Sequence, residues 1–177
     1  MTRGSLARMM QRGLTLFDFI LSVIVIGVLA ITAIPYLSST RASVGYQAER
    51  LKNDIRHMQM LSLTWGVPLE LVTGATPSSS YSVQCPTPVS GTACAATGTV
   101  TNPATGQAFS VTLDSGIQIT AAPGTAMDMD ALGRPTTGCS GTCALTNAEN
   151  TYTVSDGTKS WTLTVTRLTG ILTLATP

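Results

Sequence analysis

RGLTLFDFILSVIVIGVLAITAIP, residues Arg12–Pro35, decides the fold of this chain. From Phe19 to Ile34 it carries no charged side chain. Leu14 to Ile34 is 21 residues, roughly 30 Å of helix at about 1.5 Å per residue, enough to cross a hydrocarbon core. Asp18 interrupts the pattern. A carboxylate at the centre of a bilayer costs roughly 2.5–3.5 kcal/mol on insertion scales, so an acid inside such a segment is a functional candidate.

Asp18 has two readings. In the first turn of a helix an anion is favoured by the macrodipole and reaches the headgroup region, which needs no further role. The other reading starts from Arg12 and Gly13. A peptidase cutting after Gly13 leaves Leu14 with a positive α-amine, four residues from Asp18. Between neighbouring subunits such a pair sets axial register, because each buried charge seeks its opposite.

A short basic leader, Gly13 before the cut, Asp18 as fifth residue counted from Leu14, Gly27 as fourteenth and Pro35 as twenty-second together resemble a known pattern. It is the N-terminus of type IV pilins and type II secretion pseudopilins. Leu14 stands where the family usually has phenylalanine or methionine, and Asp18 where it usually has glutamate; both keep the chemical type. The resemblance implies cleavage between Gly13 and Leu14 by a prepilin peptidase, N-methylation of Leu14, and a role for Asp18 in subunit registration and assembly. It also implies pilin or pseudopilin partners through the N-terminal helix, an inner-membrane assembly platform, and membrane lipid.

The domains expected are a leader peptide at 1–13, a transmembrane or filament-core helix at 14–35, its amphipathic continuation at 36–66 and a β-rich head at 67–177. Arg3, Arg8 and Arg12 make the leader basic, which holds that end cytoplasmic and sends the head to the periplasm. A secretory signal is the rival, but Ile31 with Ala33 and Ala30 with Thr32 make poor cleavage sites, and the run is long for an h-region. Met9 and Met10 are alternative starts. Without the leader, seven of the ten basic residues face nine acidic ones, net −2. Four cysteines behind an export segment point to an oxidising compartment.

Pro35 predicts a kink, since it lacks the N–H for the carbonyl of Ile31. The helix then resumes to about Trp65. Val44, Ala48, Leu51, Ile55, Met58, Ser62 and Trp65 step by four and three along one face. Arg41, Gln47, Arg50, Asn53, Asp54 and Gln59 are expected on the far face, solvated or subunit-facing. Gly66 and Pro68 end the helix. A continuous helix from Leu14 to Trp65 would be roughly 78 Å long. His57, the single histidine, is expected to be a partly exposed helical residue.

Beyond Pro68 the pattern turns to short β runs. Strands are expected at Leu69–Val72, Tyr81–Gln84, Phe109–Leu113, Ile117–Thr120, Tyr152–Val154, Trp161–Thr166 and Ile171–Leu174. In the sixth, Trp161, Leu163 and Val165 alternate with threonines, so one face packs and the other is solvated. Ser155-Asp156-Gly157-Thr158 predicts a tight turn before it, and Thr169-Gly170 another after it. The fold class expected is α+β: a long N-terminal helical spine, membrane-spanning in its first half, packed on an antiparallel β-sheet head, pilin-like. The last three strands resemble the C-terminal meander of H-type minor pseudopilins and the C-type minor pilin of MSHA pili. DALGRPT, Asp130–Thr136, is similar to the turn that precedes it there.

Cys85 with Cys94 and Cys139 with Cys143 suit local disulfides, though four cysteines allow three pairings. Each short loop closed that way contributes roughly 2–3 kcal/mol in the chain-entropy model. A C-x3-C metal or redox site is the rival for Cys139 and Cys143, and no metal or cofactor is expected. Asp128 and Asp130 alternate with Met127 and Met129; they are read as a solvated strand face, with a calcium site as the alternative.

Three function classes remain. The first is a structural subunit, a prepilin of a type IV pilus or related filament, as a minor pilin in assembly or adhesion, or as an H-type minor pseudopilin of type II secretion. The second is a DNA-capturing subunit. From Gly66 onward only Arg134, Lys159 and Arg167 face six acids, net −3, which disfavours phosphate binding, so no nucleic acid is expected. The third is a membrane-anchored enzyme, for which no nucleophile elbow, phosphate loop or metal-ligand cluster is present. No catalytic activity is expected.

Overall fold

The computed structural model describes residues 18–27, 40–139 and 143–175. They fall into two units, Met1–Ser39 and Thr40–Pro177. In the first, residues 18–27 are helical, and Ser22 donates its hydroxyl to the carbonyl of Phe19 at 2.8 Å. Gly13, Leu14 and Pro35 lie outside the described residues, as does the join between the two helical stretches. Among the described residues no helix is long and apolar enough to cross a membrane.

The second unit begins with the spine helix, Thr40–Trp65. Val44, Ala48, Leu51, Ile55, Met58 and Ser62 are buried along one face, as the four-and-three spacing requires. The helix stops at Gly66, which takes φ +66° and donates its N–H to the carbonyl of Ser62 at 2.9 Å. Three residues expected on the far face are elsewhere. Gln47 is 2% exposed. At 100° per residue it lies within about 20° of Met58, so helix geometry puts it in the apolar stripe whatever its polarity. Asp54 and Gln59 flank that stripe and are both engaged by the head, as described below. The side chain of Arg41 is outside the described residues.

Eleven strands follow among the described residues: β1 Leu69–Val72, β2 Ser80–Cys85, β3 Gly98–Thr99, β4 Ser110–Thr112, β5 Gln118–Ala122, β6 Ala126–Met129, β7 Pro135–Thr137, β8 Ala144–Leu145, β9 Asn150–Ser155, β10 Ser160–Val165 and β11 Leu172–Ala175. All the pairings are antiparallel. One sheet runs β3-β2-β1-β6-β7-β8 with β4 also on β2; the other runs β11-β10-β9-β5. The expected three-stranded meander is therefore four-stranded, because β5 pairs with β9 from Gln118↔Ser155 to Ala122↔Thr151. Four strands were not among those expected. β3 and β8 are two residues long, β7 starts on a proline, and β6 has no β-branched side chain, so partner strands rather than propensity make them.

The spine helix packs on β9, β10, β11 and β1. Leu51, Ile55, Leu69, Leu71, Val83, Ile119, Met129, Val154, Leu163 and Val165 are completely buried in one core. Trp161 lies at its margin, only partly buried, and comes so close to the helix that a Cβ on Gly45 would stand 3.2 Å from its ring. Glycine at 45 is what lets that indole seat. Cys85 is bonded to Cys94, with Cα atoms 5.5 Å apart, and Cys139 to Cys143 at 4.3 Å.

The turn before β10 is held by one carboxylate. Asp156 Oδ1 accepts the N–H groups of Lys159 at 2.7 Å and Thr158 at 2.8 Å, and the Thr158 hydroxyl at 2.8 Å. The Lys159 N–H, then the two Thr158 donors, favour the anion and pull its pKa from 3.8 down to about 2. A folded value below the unfolded one means the turn is stabilised above pH 3.8 and that contribution fades as pH falls through about 2. A carboxyl-detected NMR titration of Asp156 is expected to show a midpoint near 2; a midpoint near 3.8 would show that the donors do not hold it.

Candidate functional site

The described part of the N-terminal segment is apolar on every side. Phe19, Ile20, Leu21, Val23, Ile24, Val25 and Ile26 are each between 48% and 64% exposed. A helix that is hydrophobic all round belongs in a membrane or in a core built from other chains. Asp18 is exposed at the start of this described stretch.

On the head, three polar contacts fasten the helix to the sheets. Tyr81, 2% exposed, donates its phenol to Asp54 Oδ2 at 2.6 Å. Burial, then the charge of Asp54, drives the Tyr81 pKa far above its ordinary value. Burial also raises Asp54, against the opposing Tyr81 hydrogen bond and the Arg50 charge. Near the C-terminal end of the helix, Gln59 Nε2 donates to the carbonyls of Gly170 at 2.8 Å and Gly133 at 3.3 Å. One amide thus joins the helix to two turns remote in sequence. Leu168, Ile171, Leu132 and Leu63, on those turns and the nearby helix, are all more than 45% exposed. His57 is half-buried, its ring 5.6 Å from that of Phe109.

Asp128 and Asp130 are not a solvated strand face: they are 9% and 8% exposed. The larger sheet and the turn after β6 enclose them. Asp130 Oδ1 accepts the N–H groups of Leu132 at 2.9 Å and Arg134 at 2.8 Å, and Oδ2 receives the Arg134 guanidinium at 2.8 and 2.7 Å. Gly133 completes this turn at φ +69°. Asp130 is fully used in closing DALGRPT, which excludes the Asp128–Asp130 calcium alternative.

Asp128 is placed differently. Its Oδ2 accepts the N–H of Cys139 at 3.1 Å, and Cys139 is also held through its carbonyl by the Thr87 hydroxyl. Across the strands Asp128 pairs with Glu70 on one side and Thr136 on the other. Sequence reasoning missed Glu70, and no local signal marks it, because only the β1–β6 register brings it to Asp128. Gln59 was legible in principle, since it borders the apolar stripe of the helix. Among the described residues no group of three or more histidines, cysteines and acids is arranged for a metal, and no cysteine is free.

No family model matches the chain, and no curated protein matches it. Among solved structures it is similar to the minor pseudopilin EpsH from the type 2 secretion system of Vibrio cholerae. The TM-score is 0.54 at 13% identity, covering 76% of this chain and 98% of that chain. At that identity the likeness is one of fold: the chain has a pseudopilin-type α+β architecture.

Proposed function

We propose that this chain is a prepilin, a structural subunit of a type IV pilus or related filament, acting as a minor pilin in assembly or adhesion. The observation that carries this reading is the all-round exposure of apolar side chains over residues 18–27, in a chain whose head has a pseudopilin-type fold. Prepilin peptidase cleaves between Gly13 and Leu14 and methylates the new amine of Leu14. The helix of 14–35 first lies in the inner membrane, leader cytoplasmic and head periplasmic. It then leaves lipid for a bundle of like helices, delivered by an inner-membrane assembly platform. Asp18 sets the register and Pro35 bends the rod. The chain performs no catalysis and needs no cofactor. Nucleic acid is a poor partner, since Arg134, one of three basic residues beyond Gly66, is neutralised by Asp130.

A second reading, an H-type minor pseudopilin of type II secretion, is favoured by the likeness in fold to EpsH. Deleting the gene separates the two: loss of surface filaments with normal protein secretion supports the pilus, and the converse supports the secretion machine.

The reading itself is tested by mass spectrometry of the native N-terminal peptide. The expected peptide begins at Leu14 and carries one methyl group on its α-amine, a net gain of CH2. The Gly13→Ile variant is expected to retain residues 1–13, because a branched side chain blocks the cleavage site. A native chain beginning beyond residue 33 would overturn the proposal.

A further inference from the structure

Glu70 on β1 stands directly opposite Asp128 on β6, so the two carboxylates share one face of the larger sheet. Directly opposed residues of an antiparallel pair have Cβ atoms about 4.5–5.5 Å apart, and like charges placed so are destabilising. Asp128 is 9% exposed. Its Oδ2 accepts the N–H of Cys139 at 3.1 Å, while its Oδ1 is buried with no hydrogen-bond partner. A buried carboxylate oxygen without a donor is costly, so this place in the sheet calls for one.

The neighbouring strands do not supply it. On the far side of Glu70, β2 presents Gln84, whose amide donates to the Ser82 hydroxyl at 3.0 Å. On the far side of Asp128, β7 presents Thr136, whose hydroxyl meets the Cys139 sulfur at 3.1 Å. Asp130 and Arg134, in the turn after β6, are closed on each other. Glu70 and Asp128 line a cavity of about 450 Å³, and among the described residues no lysine, arginine or histidine lines it with them. Glu70 becomes a donor as soon as it takes up a proton, because a carboxylic acid carries one O–H. Burial, then the charge of Asp128, holds the pKa of Glu70 above the ordinary 4.5, the direction that favours such uptake.

We propose that Glu70 and Asp128 form an acid latch: a proton taken up from solvent by Glu70 is donated to Asp128 Oδ1, so that the pair bonds across β1 and β6 instead of repelling. The charge of the pair falls by one, and the buried oxygen gains its donor. The bond ties the hairpin strands β1 and β2 to the β6–β7 side of the sheet. Because the folded pKa of Glu70 lies above its unfolded 4.5, the latch contributes fully below 4.5 and is lost as pH rises through the folded midpoint. Its sign is opposite to that of Asp156, whose turn weakens as pH falls through about 2. Mild acid therefore tightens the head before strong acid loosens it.

The test is thermal unfolding of the full chain in micelles of an uncharged detergent, wild type beside Glu70→Gln. Glutamine offers a permanent donor without a charge, so at about pH 7 the variant is expected to unfold about 2–4 °C above wild type. The gap is expected to close as pH falls toward 4.5 and the wild type takes up its proton; taking the difference cancels His57 and the other carboxylates. By NMR of the wild-type chain, the Glu70 carboxyl is expected to titrate above 4.5. The amide proton of Cys139, bonded to the other oxygen of Asp128, is expected to shift at that same midpoint. Glu70 is only partly buried and glutamine matches it in size, so the variant folds. A variant no more stable than wild type at about pH 7, a gap that does not change with pH, or a Cys139 amide indifferent to the Glu70 titration overturns the proposal.

Discussion

Asp18→Leu is expected to be exported, cleaved after Gly13 and methylated as usual, yet to be nearly absent from filaments. The exposed apolar helix of residues 18–27 offers strong but unspecific adhesion: any such rod packs against any other at many axial offsets. Specific register needs a polar pair whose mismatch is expensive. Holding a carboxylate at the centre of a hydrocarbon environment costs roughly 2.5–3.5 kcal/mol. In the proposed filament, the Leu14 amine of a neighbouring subunit would remove that cost at one offset only. With leucine at 18, the amine is left in the apolar core without its partner, and incorporation should fall about a hundredfold, as some 2.7 kcal/mol implies. Asp18→Glu, which keeps the charge, should restore most of it. The measurement is the ratio of subunit in sheared filaments to subunit in the membrane fraction. Equal ratios for Asp18→Leu and wild type would remove the register role and leave Asp18 as an ordinary first-turn acid.

Gly170→Ala is expected to be the most damaging of the small substitutions in the head, costing about 3–4 kcal/mol. Gly170 takes φ +67°, a conformation that costs an L side chain roughly 1–2 kcal/mol. A Cβ there would also collide with Gln59 Nε2 and stand 3.0 Å from the Gly133 carbonyl and 3.3 Å from Pro135 Cδ. Gln59 can swing away only by giving up both of its bonds to the turns, each worth about 1 kcal/mol. Gly133 is the useful contrast. It has the same φ region, but its nearest neighbours are at 3.4 Å or more, so Gly133→Ala should cost only the backbone strain. Urea denaturation of the two variants beside Gln59→Ala checks this. Gly170→Ala should exceed both Gly133→Ala and Gln59→Ala; equality with Gly133→Ala would show that the clasp contributes nothing.

The spine helix was legible because its signal is local and repeated. Six of seven residues at the predicted spacing are fully buried, and Trp65 marks the end. The same arithmetic shows why Gln47 was misplaced: polarity put it on the far face, whereas its angle on the helix puts it beside Met58. The strongest strands, β1, β9 and β10, alternate clearly and were found within two residues of their ends. β6, β7 and β8 were not, since Ala126–Met129, Pro135–Thr137 and Ala144–Leu145 have weak propensity and are strands only because neighbours offer them a ladder.

By itself the sequence determined the α+β class of this protein: an apolar segment, an amphipathic helix with defined ends, and a β head with local cysteine pairs. Those features are periodic or contiguous, and short-range sterics and hydrophobicity are enough to fix them. Only the tertiary structure decided that Asp128 faces Glu70 while Asp130 faces Arg134, and that Gln59 bridges two turns more than seventy residues away. The reason is that strand register is a long-range property. One residue of slip would turn every side chain of β6 to the opposite face, and nothing within Ala126–Met129 itself says which register wins.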